Sequence, residues 1–114
     1  MAKSGTHYVS LATAEAIKYA HNVYGALQVV FANAMYDACQ KSGAEFVRLK
    51  ATLPHLGYVS HNAIGTYWNI HQDGYRGYGG ACFPKDVAAL RTWLGDDGKL
   101  LEGIEAANAR LRGE

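Results

Sequence analysis

The sequence predicts an all-α domain with one long central helix, shorter helices and a long loop rich in glycine and tyrosine. Thr13 to Ser42 contains no proline, is rich in alanine and is followed by Gly43, which is a natural helix stop. Hydrophobic residues make up 49% of the chain and the net charge is +1, which favours a folded protein over disorder. At 114 residues, the chain has room for one domain, residues 1–114.

Composition also excludes several classes of protein. The near-neutral charge and the lack of a basic run argue against nucleic acid as a partner. No apolar segment approaches the ~20 residues that a membrane span needs, so no membrane association is expected. Met1 to Thr6 lacks the apolar core of a signal peptide, and two cysteines provide no disulfide framework. We therefore expect a cytoplasmic protein.

The long helix has an apolar face at helical spacing. Its members are Ile17, Ala20, Tyr24, Leu27, Phe31, Met35 and Ala38. A second apolar row widens this face until the middle of the helix is apolar nearly all round, so it must be covered on more than one side. About thirty residues make ~45 Å of helix, which is long for a chain of this size to cover. A homodimer packed along Thr13 to Ser42 is the predicted solution.

Few polar residues lie on this helix. Lys18 and Asn22 are four residues apart and share a face, either as a solvated edge or as part of a site. Gln28 and Asn33 lie in the apolar zone and need hydrogen-bond partners if they are buried. Gly25 costs roughly 1 kcal/mol relative to alanine inside a helix, which suggests a close backbone approach or a local bend.

Three shorter helices are predicted after the long one. The first covers Ala44 to Ala51 and is ended by Pro54. The second runs from Pro84 to Leu94 and is expected to face inward through Val87, Leu90 and Leu94. The third is capped by Asp96 or Asp97. Its apolar stripe consists of Leu100, Leu101, Ile104, Ala107 and Leu111.

Between these helices, His55 to Phe83 shows no convincing helical or strand period. A long irregular stretch in a compact domain is usually functional or disordered, and this one is too aromatic for disorder. Its three histidines lack a tight ligand spacing, so no metal site is predicted. Three side chains could contact an anionic or sugar ligand, or could simply pack the loop: Tyr75, Arg76 and Tyr78.

The run from Gly77 to Asp86 ends this stretch and contains a candidate nucleophile. Proline is favoured at the first position of a helix, so Pro84 predicts that Cys82 lies just outside a helix N-terminus. There the helix dipole favours a thiolate, and Lys85 adds positive charge. Asp86 falls in the predicted first turn. The alternative is an inert cysteine that acts as a small apolar residue in a turn.

The same run, GYGGACFPKD, resembles the active-site cysteine motif of the UDP-glucose/GDP-mannose dehydrogenase family. Thr13 to Asn22 resembles the opening of that family's central helical domain, and Leu100 to Arg110 is similar to the helix that closes it. The resemblance spans almost the whole chain but only the central third of a full enzyme.

This resemblance implies a two-step oxidation of a sugar-nucleotide C6 alcohol to a carboxylate by NAD. The residue at Cys82 would attack the aldehyde, and the resulting thioester would be hydrolysed. Lys18 would stabilise the developing oxyanion with Asn22 beside it, and Asp86 would assist proton transfer through water.

The resemblance also implies binding roles and partners. Lys85 matches a basic position near the cofactor. Tyr78, Gly79 and Gly80 belong to the loop that would line the sugar pocket, so they are the candidate residues for nucleotide-sugar binding. The family's central domain is also its dimerisation core, which agrees with the long apolar helix.

The sequence departs from the family in ways that leave three functions open. It shows neither the strand and glycine fingerprint of a Rossmann domain nor a second nucleotide-binding domain after Glu114, so we expect that it does not bind NAD alone. A separate NAD-binding chain is a possible partner. Ala63 stands where many members carry an arginine. The chain is then a catalytic-cysteine module, a helical dimer with a binding or structural role, or a small enzyme that uses Cys82 without NAD.

Overall fold

The computed structural model describes residues 9–71 and 74–114, and these residues form helices and no strand. The all-α prediction, with one long helix and several short ones, is therefore confirmed. The α-helices are α1 (Leu11–Ser42), α2 (Phe46–Thr52), α3 (His61–Tyr67), α4 (Cys82–Leu94) and α5 (Lys99–Arg112). Short 3-10 helices cover Leu53–Leu56 and Gly95–Gly98. No helix of the described residues has the length and apolar character needed to cross a membrane.

Helix α1 is 32 residues long and is capped at both ends. The side chain of Ser10 accepts a hydrogen bond from the Thr13 amide at 3.1 Å, which starts the helix two residues before the predicted position. At the other end Gly43 has a φ of 80° and its amide donates to the Cys39 carbonyl. The predicted C-terminal stop is therefore confirmed.

The first core lies where the front half of α1 meets α4 and α5. Its buried members are Val23, Ala26, Tyr78, Val87, Leu101 and Ile104. Phe83, Leu90 and Leu94 of α4 pack against them. Because α4 and α5 both present apolar stripes at helical spacing, this core follows the predicted pattern. Arg91 of α4 and Glu105 of α5 form an ion pair beside it.

The second core covers the back half of α1. Its buried members are Ala32, Trp68 and Ile70, and residues of α2 and α3 pack around them. Trp68 is fully buried and its indole Nε1 donates to Gln28 Oε1 at 3.1 Å. Asn33 donates to the Val29 carbonyl at 2.8 Å. The expectation that Gln28 and Asn33 need partners is confirmed.

Gly25 stands at the junction between the two cores. A Cβ atom there would lie 2.8 Å from Cζ of Phe83, in the first core, and 3.0 Å from Oη of Tyr67, in the second. Both distances are shorter than van der Waals contact. A close approach at Gly25 is present, but the groups that approach it are aromatic side chains rather than another stretch of backbone.

Helix α3 corrects the prediction that His55 to Phe83 has no helical segment. The Ser60 side chain accepts a hydrogen bond from the Ala63 amide at 3.0 Å and so starts the helix. Seven residues are too few to show an apolar period, since they make only two turns. The irregular segment is therefore the shorter one between α3 and α4, of which residues 72 and 73 lie outside the described part.

Other helix ends also differ from the prediction. α2 ends at Thr52, and Pro54 lies inside the 3-10 helix that follows, where its missing N–H costs no α-helical hydrogen bond. Asp96 and Asp97 do not cap α5. They belong to a second 3-10 helix, and Gly98 occupies the capping position.

Candidate functional site

Cys82 is the first residue of α4, with Ala81 at the capping position. The prediction that Pro84 opens the helix and that Cys82 lies outside it is wrong. Pro84 is the third helical residue, where a missing N–H is still tolerated because first-turn amides have no partner within the helix. Cys82 is exposed, and the positive end of the helix dipole acts on its sulfur. An exposed cysteine at a helix N-terminus keeps the nucleophile hypothesis open.

Asp86 lies one turn further along α4 and is almost completely buried, with 2% of its surface exposed. Because the helix starts at Cys82, Asp86 is in the second turn, and the prediction of a first-turn carboxylate is wrong. Its Oδ2 atom accepts a hydrogen bond from Nδ2 of Asn22 at 2.6 Å. The Lys85 ammonium lies 3.8 Å from Oδ1. The Asn22–Asp86 bond connects α1 directly to α4.

This hydrogen bond brings two helix faces together. Cys82 and Asp86 are four residues apart on α4, and Lys18 and Asn22 are four apart on α1, so each pair shares a face. Lys18 is exposed, with its ammonium 5.3 Å from the centre of the Tyr19 ring. The four predicted catalytic residues therefore follow two facing stripes that meet at Asn22 and Asp86.

His21 is a neighbour of this site that the sequence reasoning missed. Its Nδ1 atom lies 2.9 Å from Oδ1 of Asn22. Since an amide oxygen only accepts, Nδ1 is the protonated nitrogen in this bond. The Asn22 side chain thus accepts from His21 and donates to Asp86. Adjacent residues on a helix point in different directions, so spacing carried no signal for this contact.

The loop side chains before Cys82 are largely used in packing. Arg76 donates to Oδ1 of Asn33 and to Asp37, both at 2.9 Å, and so holds the loop against α1. Tyr78 is 5% exposed, and its ring meets that of Phe83 edge-on. Burial, together with the charge of Glu105, raises the pKa of Tyr78 to about 12. The packing alternative therefore accounts for the side chains of Arg76 and Tyr78.

A cleft of about 230 Å³ opens beside this loop. Its lining is mixed aromatic and polar: Val29, Thr66, Tyr67, Asn69, Tyr75, Gly77, Tyr78, Gly79 and Phe83. Two of the three predicted substrate-binding residues, Tyr78 and Gly79, line it. Its volume is below the roughly 300–1,000 Å³ of typical small-molecule sites, so it would hold only part of a nucleotide sugar. Substrate binding by Tyr78, Gly79 and Gly80 stays a prediction.

The central-domain model of the UDP-glucose/GDP-mannose dehydrogenase family matches residues 12–110. The chain belongs to this family. Curated relatives include three proteins named UDP-glucose 6-dehydrogenase. The one from Pseudomonas aeruginosa is 38% identical over 102 residues, and the one from Rickettsia bellii is 36% identical over 101. The Bacillus subtilis protein YwqF is 32% identical over 105 residues.

The matches cover 86–90% of this chain but only 21–22% of the length of these three relatives. The chain thus spans about a fifth of the length of these relatives. No solved structure is a significant match to the chain.

The family is NAD-dependent, but the described residues do not fit this cofactor by themselves. Dinucleotide sites of the Rossmann type need a strand followed by a glycine-rich turn and a helix. Residues 9–71 and 74–114 provide no strand. Lys85, the predicted cofactor contact, is a lysine on the surface with a side chain that is 66% exposed. The same residues contain no group of three or more potential metal ligands.

Proposed function

We propose that these 114 residues form the catalytic-cysteine and dimerisation module of a cytoplasmic NAD-dependent nucleotide-sugar 6-dehydrogenase. The observation that carries the proposal is the Asn22–Asp86 hydrogen bond, which joins α1 to α4 one turn from the exposed Cys82. A buried carboxylate, an amide and a thiol in this arrangement suit addition to an aldehyde followed by hydrolysis. Both cysteines are free, which suits a reducing compartment.

In this proposal Cys82 is the nucleophile. Its thiolate adds to the C6 aldehyde of the sugar nucleotide, which forms a carbon–sulfur bond and places negative charge on the former carbonyl oxygen. Oxidation of this adduct to a thioester on Cys82 would need a hydride acceptor, which is the chemistry that NAD would supply from outside these residues. Water then attacks the thioester, which releases the carboxylate and restores the thiol.

Lys18, Asn22 and Asp86 stabilise the negative charge that develops on the substrate oxygen and assist proton transfer. The Lys18 ammonium is exposed and free to turn toward the developing oxyanion, one turn from Asn22. The amide of Asn22 donates one hydrogen to Asp86 and keeps a second for the same oxyanion. Asp86 assists proton transfer through water, and the Asn22 contact fixes its carboxylate.

In this proposal the cofactor binds outside the described residues. We propose that a second domain, or a separate NAD-binding chain, faces the exposed side of α4 that carries Lys85 and Cys82. These 114 residues alone would then form the covalent adduct without completing the oxidation.

An exposed stripe on α1 supports the proposed homodimer. Ile17, Tyr24 and Phe31 are seven residues apart and are 56%, 58% and 52% exposed. A spacing of seven keeps apolar side chains along one seam when two helices pair. Large apolar residues that are half exposed on one seam are costly in a monomer, and a second copy of α1 would bury them.

Dimerisation is tested by the mass in solution. We expect twice the 12.4 kDa chain. Tyr24→Glu places a charge in the seam and should shift the protein to the monomer. Tyr58→Glu is the matched control, because Tyr58 is 99% exposed and lies outside α1. A monomeric wild-type chain would refute the proposed dimer.

Substrate binding is tested by protection of Cys82. UDP-glucose or GDP-mannose should slow the alkylation of Cys82 and raise the melting temperature, and Cys82→Ser should retain the thermal shift. NAD alone should produce neither effect. If neither nucleotide sugar protects Cys82 or shifts melting, the substrate pocket is not formed by this chain.

The alternative is a helical dimer with a binding or structural role. Its support is the loop: Arg76 is held by Asn33 and Asp37, and the Tyr78 ring is buried, so both are used within the fold. Ala63 also stands where the family resemblance leads us to expect an arginine. An unreactive Cys82 together with a stable dimer would favour this function.

A further inference from the structure

We propose that Asn108 and Arg112, on one face of α5, are positioning residues that hold the glycine loop in front of Cys82. The proposal deepens the proposed function, because the loop they hold leads directly into α4. It concerns loop geometry, however, and can be tested without substrate or cofactor.

Asn108 binds the backbone of the loop through both ends of its amide. Its Oδ1 atom accepts a hydrogen bond from the Tyr78 amide at 2.7 Å, and its Nδ2 donates to the Tyr78 carbonyl at 3.0 Å. Asn108 is 8% exposed, so these bonds are shielded from water. An asparagine amide that satisfies both backbone groups of one residue replaces the pairing that a neighbouring strand would provide.

The loop approaches α5 so closely that its residues must be small. Gly77 has a φ of 81°, and a Cβ atom there would lie 2.5 Å from Oδ1 of Asn108. Glycine at position 77 therefore permits both the left-handed backbone and the Asn108 contact.

Arg112 contacts the same loop from one turn further along α5. Its guanidinium carbon lies 3.8 Å from the centre of the Tyr75 ring, a cation–π stack. A Cβ atom on Gly79 would lie 2.7–2.9 Å from the guanidinium atoms, so any larger residue there must displace Arg112. The guanidinium thus fills the space between Tyr75 and Gly79.

These contacts explain how α5 can affect a cysteine on another helix. Asn108 and Arg112 are four residues apart and face the loop together. Leu101 and Ile104, earlier on the same helix, are anchored in the first core. Tyr78 is four residues before Cys82, so a loop fixed at Tyr78 limits where α4 can begin. Neither residue need touch a reactant to have this effect.

Hydrogen exchange of residues 75–79 is the direct test. Asn108→Ala removes both hydrogen bonds to the backbone of Tyr78. Exchange of the Tyr78 backbone amide should then accelerate at least about tenfold, since this buried N–H loses its partner. Exchange in the middle of α1 should stay unchanged. The rate of Cys82 alkylation at pH 7 should change as well. Loss of a residue that only stabilises the fold would leave this rate unchanged in the native state. Unchanged exchange at Tyr78 in a folded Asn108→Ala variant would overturn the proposal.

A double-mutant cycle covers the case in which Asn108→Ala does not fold. Gly79→Ala should displace Arg112 and accelerate loop exchange about fivefold, as should Arg112→Ala. The two changes together should have no more effect than either alone, because both remove the same contact. Gly103→Ala on α5, where a Cβ meets nothing within 4 Å, is the control and should leave the loop unchanged. Additive effects of Gly79→Ala and Arg112→Ala would contradict the proposal.

Failure of nucleotide-sugar binding would leave these exchange results unaffected, so the two proposals can fail separately.

Discussion

The two cores of this domain differ in how they are built. The first core packs the front half of α1 against α4 and α5, two amphipathic helices of 13 and 14 residues. The second core packs the back half of α1 against two seven-residue helices and the buried Trp68. Regular helix packing therefore supports the candidate site, whereas a single large aromatic side chain organises the opposite end.

This difference suggests that the candidate site depends on the first core, whereas the second core contributes only to stability. Asp86 is buried next to Val87, so the site and the first core share consecutive residues of α4. The second core contains none of the predicted catalytic residues. We therefore expect substitutions in the second core to reduce stability and leave Cys82 chemistry intact.

The largest expected effect comes from Trp68. Trp68→Ala should reduce the free energy of unfolding by about 3–5 kcal/mol, because the indole is fully buried and donates to Gln28. Urea unfolding measures the loss, and Trp68→Phe should lose less because it keeps most of the ring. If the folded Trp68→Ala variant also changes the alkylation rate of Cys82, the two cores are not independent.

Val87 provides the matching test in the first core. Val87→Ala should cost about 2 kcal/mol, since its side chain is fully buried. Because Val87 follows Asp86 directly, Val87→Ala should also alter the alkylation rate of Cys82, whereas Trp68→Ala should not. A variant that is destabilised but has wild-type Cys82 reactivity would show that the first core does not support the site.

Gly25 tests the junction between the cores. Gly25→Ala gains about 1 kcal/mol of helix propensity but forces Phe83 and Tyr67 apart, which costs about 1–3 kcal/mol. We expect a net loss of about 1 kcal/mol by thermal or urea unfolding. Gly103→Ala has open space around it and should gain stability instead. Equal gains in both variants would refute the close contact at Gly25.

Substitution of Tyr78 has the smallest expected effect on stability at neutral pH. Its pKa is raised from 10.0 to about 12 in the folded state, so the unfolded chain loses this proton first. The protonated Tyr78 phenol therefore favours the folded state below pH 10, and this contribution to stability is lost as the pH rises toward 12. Tyr78→Phe should change stability by less than about 1 kcal/mol at pH 7 and should show a shallower loss between pH 10 and 12. Identical alkaline profiles would contradict the buried phenol.

The sequence predicts the first core better than the second for physical reasons. The apolar stripes of α1, α4 and α5 repeat over at least three turns, so their period is readable. Helix α3 makes two turns, and its start depends on the Ser60 cap. Trp68 is buried by long-range contacts that no local pattern encodes.

The candidate residues came from the motif around Cys82 and from the family resemblance at Lys18 and Asn22, and their roles stay predictions. Their geometry could not be predicted from the sequence. The Asn22–Asp86 bond links residues 64 positions apart, and the two Asn108–Tyr78 bonds link residues 30 apart. Pairings over such distances depend on how the helices pack, so they required the structure.

The proposed nucleophile site is tested most directly by the rate at which Cys82 is alkylated at pH 7, measured by mass spectrometry of the peptide that contains it. An unstructured peptide with the sequence around Cys82 is the reference for exposure alone, and buried Cys39 is the internal control. We expect Cys82 to react faster than the reference peptide and Cys39 to react much more slowly than both. A Cys82 that reacts no faster than the unstructured peptide would contradict the proposed nucleophile site.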